Sequence, residues 1–282
     1  MSLQNQRVLI TGGGSGLGEG MARYLASKGA HVIICSRNIA KLEKVVKSIQ
    51  DDGGSASALE LNLRDYDQIQ EVIKNVMQEP LYALINNAAA NFVARTQDLS
   101  KNGFNSIFET VASGTFFVTQ AVGKNWIEQK SPGRVVSITA TYSGSAGPHV
   151  VPSAMGKAAV ASMTRSLAVE WGGFGIRLNA IAPGMIPTQG AWQNLFAGVA
   201  DDAKSLDLGQ WIPQMRLGEA LELAKAIEFL ISDESSYFNG QEIQMDGAMH
   251  LASGAGPFYS AFRKFSDQQW QFIKAMTTQK KS

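Results

Sequence analysis

The chain has 282 residues, 45% of them apolar, and a formal net charge of +1. That length and composition support one globular domain with a full core, and the near-neutral charge gives no electrostatic case for a nucleic-acid partner. A single cysteine, Cys35, rules out an internal disulfide, and the scattered His31, His149 and His250 offer no metal-ligand spacing.

Short apolar runs alternate with amphipathic stretches along the chain. The first predicted strand, Val8–Ile10, begins so near the N-terminus that no targeting peptide is expected, and no apolar run reaches membrane-spanning length. The expected setting is therefore cytoplasmic, away from membranes. This strand runs into Thr11-Gly-Gly-Gly-Ser-Gly-Leu-Gly18 and a predicted helix over Gly18–Lys28. Glycines between a strand and a helix allow a tight turn and a close approach of a pyrophosphate to the free N–H groups of the helix start. Gly12, Ser15, Gly16, Leu17 and Gly18 are thus candidate cofactor residues. The second strand, His31–Cys35, ends in Ser36-Arg37, where a site for NAD often places an acid against the ribose hydroxyls. No acid stands there. Arg37 suits the 2′-phosphate of NADPH through charge-assisted hydrogen bonds, the alternative being a solvated arginine at a strand end.

Predicted elements continue with a helix over Ala40–Asp51, a strand over Ser57–Leu61, a helix over Tyr66–Gln78 and a strand over Ala83–Asn86. A long helix over Phe104–Gln129, a strand over Arg134–Ile138, a helix over Ser153–Trp171 and a strand over Ile176–Ile181 follow. The loop from Thr188 to Gln214 carries Trp192, Phe196 and Trp211 and is a candidate substrate lid. A helix over Glu219–Ser232, a last strand over Glu242–Gln244 and an extension over 248–282 complete the chain. Strand and helix in strict alternation predict a single α/β domain, a Rossmann-like doubly wound parallel sheet of about seven strands with helices on both faces.

Four motifs fall at the ends of these strands or at the start of the helix over Ser153–Trp171: Thr11-Gly-x-x-x-Gly16-x-Gly18, Asn86-Asn87-Ala88, Ser153-x-x-x-Lys157 and Ala182-Pro183-Gly184. With them the chain resembles the short-chain dehydrogenase/reductases over essentially its whole length. The resemblance implies that the loop at Asn87 lies along the cofactor and that Lys157 grips the nicotinamide ribose. It further places Pro183, Gly184 and Ile186 beside the nicotinamide, and Asn62 and Leu63 beside the adenine. Members of the family usually carry Tyr-x-x-x-Lys, so Ser153 stands where the catalytic tyrosine would be. Within the family, Asn86-Asn-Ala-Ala-Ala-Asn91-Phe92, an upstream Tyr142 and Val150-Val-Pro-Ser-Ala154 are similar to the NADPH-dependent 2,4-dienoyl-CoA reductases. Glu170-Trp171 and Gln269-Trp270 extend the match. By that resemblance Asn91 and Tyr142 are donors to the substrate carbonyl, Ser153 and Lys157 support the nicotinamide side, and Arg64, Phe92 and Ser100 are candidate contacts to the CoA thioester. It also implies a homotetramer.

Four positions depart from the pattern. Asn62 replaces an expected Asp, Ser113 replaces a helix asparagine, Ala140 takes the place of a usual catalytic serine, and Asn194 stands where an arginine against CoA phosphate is expected. The chemistry accommodates the missing tyrosine. A ketone needs a proton delivered to its developing alkoxide, whereas a dienoyl thioester accumulates charge on the thioester oxygen and can take its proton on carbon. Donors preorganised around that oxygen are then the main requirement. Two other readings stay open at this point: a carbonyl or 3-ketoacyl reductase that uses Tyr142 as a repositioned acid, and an inactive NADPH-binding member.

Overall fold

The apolar runs form seven strands: β1 Arg7–Thr11, β2 His31–Ser36, β3 Ser55–Glu60, β4 Ala83–Asn86, β5 Gly133–Ile138, β6 Ile176–Pro183 and β7 Glu242–Met245. They make one sheet in the order β3-β2-β1-β4-β5-β6-β7, every neighbouring pair parallel. This is a computed structural model, and it describes residues 3–188, 208–254 and 262–279. Helices α1 Gly16–Ser27, α2 Ile39–Asp51, α3 Tyr66–Val76, α4 Lys101–Phe108, α5 Thr115–Glu128, α6 Val151–Trp171, α7 Ala220–Ile231, α8 Met249–Gly254 and α9 Asp267–Gln279 fill the connections. None of the described helices is long and apolar enough to cross a membrane.

A strand turns successive side chains to opposite faces of its sheet, and a parallel sheet is covered on both. Val8 and Ile10 of β1 join a core with Met21 and Leu25 of α1, Leu42 of α2 and Leu223 and Ile227 of α7. Leu9 between them joins the opposite core, with Ile69 and Ile73 of α3, Val118 and Trp126 of α5 and Trp171 of α6. The sheet is therefore doubly wound, as the alternating sequence implies.

Helix starts follow local chemistry. Asn38 caps α2 by accepting the Lys41 N–H at 3.0 Å, and Asp65 caps α3 by accepting the Gln68 N–H at 3.0 Å. The long helix expected over Phe104–Gln129 begins three residues earlier, at Lys101 behind its Ser100 cap, and is not uniform. A π-helical turn over Glu109–Gly114 joins α4 to α5. A Cβ on Gly114 would lie 2.5 Å from the Leu63 carbonyl oxygen, so the helix lies directly against the loop after β3 at this turn.

Candidate active site

The strand order reverses between β1 and β4, and the crevice outside their carboxyl ends is where such a sheet binds ligands. Side chains from both loops tie it together. Thr11 Oγ1 accepts the N–H groups of Asn87 and Ala88, each at 3.0 Å. Asn87 Nδ2 in turn donates to the carbonyls of Thr11 at 3.0 Å and Gly12 at 3.1 Å. The glycine turn is closely built: Gly12 has φ +71°, and a Cβ on Gly18 would lie 2.2 Å from the Gly12 oxygen. Only glycine permits that approach, which leaves bare backbone at the start of α1 for an anionic ligand.

A cavity of about 860 Å³ runs from this turn to the start of α6. Gly12, Ser15, Leu17, Gly18, Arg37, Asn62, Leu63, Asn87 and Pro183 line it, as do Asn91, Tyr142, Ser153 and Lys157. Its size and its glycine cradle fit a nicotinamide dinucleotide. Arg37 and the unanticipated Lys41 line its outer end, with no ion-pair partner among the described residues. Three expected residues sit elsewhere. Gly184 and Ile186 line a neighbouring cavity of about 460 Å³ together with Arg216, Asp246 and His250. Gly16, with φ +58°, turns the chain beside Thr188.

At the inner end, Ser153 and Lys157 lie one turn apart on α6 and both are buried. Tyr142 reaches them from a 3₁₀ turn over Thr141–Gly144, its hydroxyl 3.2 Å from Ser153 Oγ. Gly147 makes room for the phenol, since a Cβ there would lie 3.3 Å from Tyr142 Cγ. Lys157 Nζ donates to the Ile138 carbonyl at 2.5 Å. Burial lowers the pKa of this ammonium from its ordinary value to about 8, because desolvation disfavours the charged form. Asn91 brings a buried carboxamide oxygen with no hydrogen-bond partner among the described residues. An unpaired buried polar atom in a cleft is a place for a ligand group, and its loop is held by an Ala94 N–H donated to the His149 carbonyl at 2.9 Å.

The expected thioester contacts lie outside this lining. Arg64 Nε forms an ion pair with Glu109 Oε2 at 2.8 Å. Phe92 and Ser100 meet at Gly103, where a Cβ would lie 3.2 Å from Phe92 Cζ and from Ser100 Oγ, and Ser100 caps α4. Thr110 and Thr139 line the cavity without having been anticipated. Thr110 sits in the π turn, which shifts side chains relative to a regular helix and leaves no trace in apolar periodicity. Lys41 could have been found, since it lies in the first turn of the helix that follows Arg37. Trp192, Asn194 and Phe196 lie outside the described residues, while Trp211 is exposed on a short turn over Leu208–Trp211.

The family profile described as enoyl-(acyl carrier protein) reductase matches residues 12–250. The chain belongs to the short-chain dehydrogenase/reductase family. It is an oxidoreductase of that family. A Bacillus subtilis relative named "Probable 2,4-dienoyl-CoA reductase [(2E)-enoyl-CoA-producing]" is 42% identical over 252 residues, which covers 88% of this chain and 98% of the relative. A short-chain dehydrogenase of Bacillus anthracis, solved as a crystal structure, is 41% identical with a TM-score of 0.78, over 87% of this chain and 97% of its own. A variant of actinorhodin polyketide ketoreductase, solved with NADPH, is 26% identical with a TM-score of 0.81, over 89% and 99%. Short-chain dehydrogenase/reductase neighbours therefore include a ketone reducer as well as a protein named for dienoyl thioesters.

Proposed function

We propose that the protein reduces 2,4-dienoyl-CoA to enoyl-CoA with NADPH, in the oxidation of unsaturated fatty acids. The observation that carries this reading is the placement of the Tyr142 hydroxyl against Ser153, in a cavity that also holds Lys157 and Asn91. The phenol lost from the position of Ser153 is replaced from a different turn. Resemblance to the B. subtilis relative supports the same chemistry.

When bound, NADPH supplies the hydride. The glycine turn and the start of α1 would hold its pyrophosphate, Arg37 its 2′-phosphate, Asn62 and Leu63 its adenine, and Lys157 and Pro183 its nicotinamide end. Tyr142 and the amide of Asn91 donate hydrogen bonds to the thioester oxygen as negative charge grows there. Either end of the Asn91 carboxamide can face the ligand, because its oxygen and nitrogen exchange on a half-turn. The cationic form of Lys157, in the same low-dielectric pocket, favours that charge. Ser153 orients the Tyr142 hydroxyl. Carbon, not oxygen, then takes a proton from water, so no ketone acid is needed.

Arg64, Phe92 and Ser100 are read as the contacts to the CoA arm, with Arg64 exchanging Glu109 for the ligand. The chain is read as one domain, 1–282, with 188–214 as a lid and 248–282 as an extension, and as a homotetramer working in the cytoplasm. A ketone reducer of the same family is the second reading, favoured by the likeness to the ketoreductase. One assay separates them: NADPH consumption with 2,4-hexadienoyl-CoA and 2,4-decadienoyl-CoA beside crotonyl-CoA and acetoacetyl-CoA. The dienoyl thioesters are expected to be the good substrates. Comparable turnover of acetoacetyl-CoA would overturn the proposal, and cofactor binding with no turnover of any of the four would leave the inactive reading.

A further inference from the structure

Tyr142 sits on a turn that can do little to hold it. A 3₁₀ turn of four residues has poor hydrogen-bond geometry and rarely propagates. Here its backbone bonds are Ser143 N–H to the Ala140 carbonyl at 2.8 Å and Ser145 N–H to the Tyr142 carbonyl at 3.4 Å. The segment that follows, Gly144 to Ala146, is exposed. A phenol that must meet a reacting oxygen within a few tenths of an ångström needs a firmer base than this.

The next residue provides one. Ser143 Oγ donates to Glu242 Oε1 at 2.5 Å, across 99 residues of sequence. Glu242 opens β7, which is laddered to β6 from Ala180 to Pro183, and its side chain is only 14% exposed. The second carboxylate oxygen of Glu242 lies 4.0 Å from Arg165 on α6, the helix that carries Ser153 and Lys157. Consecutive residues in a 3₁₀ turn project about 120° apart, so a fixed Ser143 fixes the bearing of Tyr142. The turn is thus pinned from two sides, by Ser153 to Tyr142 and by Glu242 to Ser143.

We propose that Glu242 is a positioning residue for the reaction, acting through Ser143 to aim the Tyr142 hydroxyl into the cavity. It touches neither substrate nor cofactor site, and Arg165 helps to orient its carboxylate. The proposal rests on the reading of Tyr142 as a donor to the thioester oxygen, and its test is built to separate the two.

Kinetics on 2,4-hexadienoyl-CoA would be measured for Glu242→Ala, Glu242→Gln, Ser143→Ala, Tyr142→Phe and the double variant Glu242→Ala/Tyr142→Phe. NADPH affinity of each would be measured by fluorescence titration. Glu242→Ala and Ser143→Ala are each expected to lower kcat by roughly tenfold, with the dissociation constant of NADPH and the KM of the thioester within about twofold of wild type. Glu242→Gln keeps an acceptor oxygen for Ser143 and should restore most of kcat. In the Tyr142→Phe background, Glu242→Ala should cost nothing further, because there is no hydroxyl left to aim. A full additional loss in that background would show that Glu242 acts on the fold or on another group, and would overturn the proposal. So would wild-type kcat in Glu242→Ala while Tyr142→Phe is impaired, an outcome that leaves the role of Tyr142 standing. Unimpaired Tyr142→Phe would instead sink the donor reading itself, and the positioning role with it.

Discussion

Lys157 is buried in the cavity that also holds Tyr142 and Asn91, the groups read as donors to the thioester oxygen, and burial lowers its pKa to about 8. If its cation assists the reaction, kcat/KM falls as pH rises through about 8, since that quantity reports the free enzyme. Stability should respond in the opposite sense. The folded pKa lies below the unfolded value of 10.5, so the unfolded chain holds the extra proton above about 8 and the cost of burying the ammonium is relieved as pH rises from there. Comparing wild type with Lys157→Met by denaturant titration removes the contributions of other groups, and their stability difference should shrink over that window. A pH-rate profile with no basic limb near 8 would remove the cation from the mechanism.

The hydroxyls are expected to rank. Tyr142→Phe keeps the ring and removes the donor, so kcat on a dienoyl-CoA should fall by roughly 10²–10³ with little change in KM. Ser153→Ala removes only the group that orients Tyr142 at 3.2 Å and should cost less. Should Ser153→Ala abolish turnover while Tyr142→Phe keeps it, the serine has inherited the catalytic position directly.

At the scale of elements, the strands were legible because a sheet buried on both faces needs unbroken apolar runs, as in Val8-Leu9-Ile10. The π turn was not, because Phe104 to Gln129 keeps one helical pattern and the close approach of Gly114 to Leu63 joins residues about fifty apart in sequence. The Thr11–Asn87 tie and the Ser143–Glu242 bond are hidden for the same reason, spanning 76 and 99 residues with no local signal. Tyr142, Ser153 and Lys157 were legible as a group since two of them share a helix face and the third matched a known motif. The π turn itself can be tested. Gly114→Ala would place a Cβ 2.5 Å from the Leu63 oxygen and 2.6 Å from Leu63 Cβ. Overpacking of this kind costs about 1–3 kcal/mol, to be read as a lower urea midpoint. Leu63 lines the cofactor cavity, so NADPH affinity should fall too. An unchanged midpoint with unchanged affinity would show that helix and loop can part without consequence.

For the molecule as a whole, the outer face of α5 and α6 is one apolar surface that the described residues leave uncovered. Phe116 is 38% exposed, Met155 46% and Val169 87%. Phe116, Phe117 and Met163 line a shallow hollow of about 280 Å³ there, together with Ala112 and Ser113 of the π turn. Along α6 the outward positions Met155, Ala159, Ser162 and Ser166 are mostly small, so a second helix can come close to its backbone. In the homotetramer reading this face meets its copy, and Phe116→Glu would bury an unpaired carboxylate in the contact. The variant is expected to sediment as a smaller species than wild type at equal concentration while remaining folded by circular dichroism. The same π turn offers Thr110 to the cofactor cavity on its inner side. Dissociation should therefore also weaken NADPH binding, because the turn loses its outer support. A wild type that sediments as a monomer would remove the homotetramer reading, and a Phe116→Glu variant with unchanged assembly would place Phe116 outside the contact between subunits.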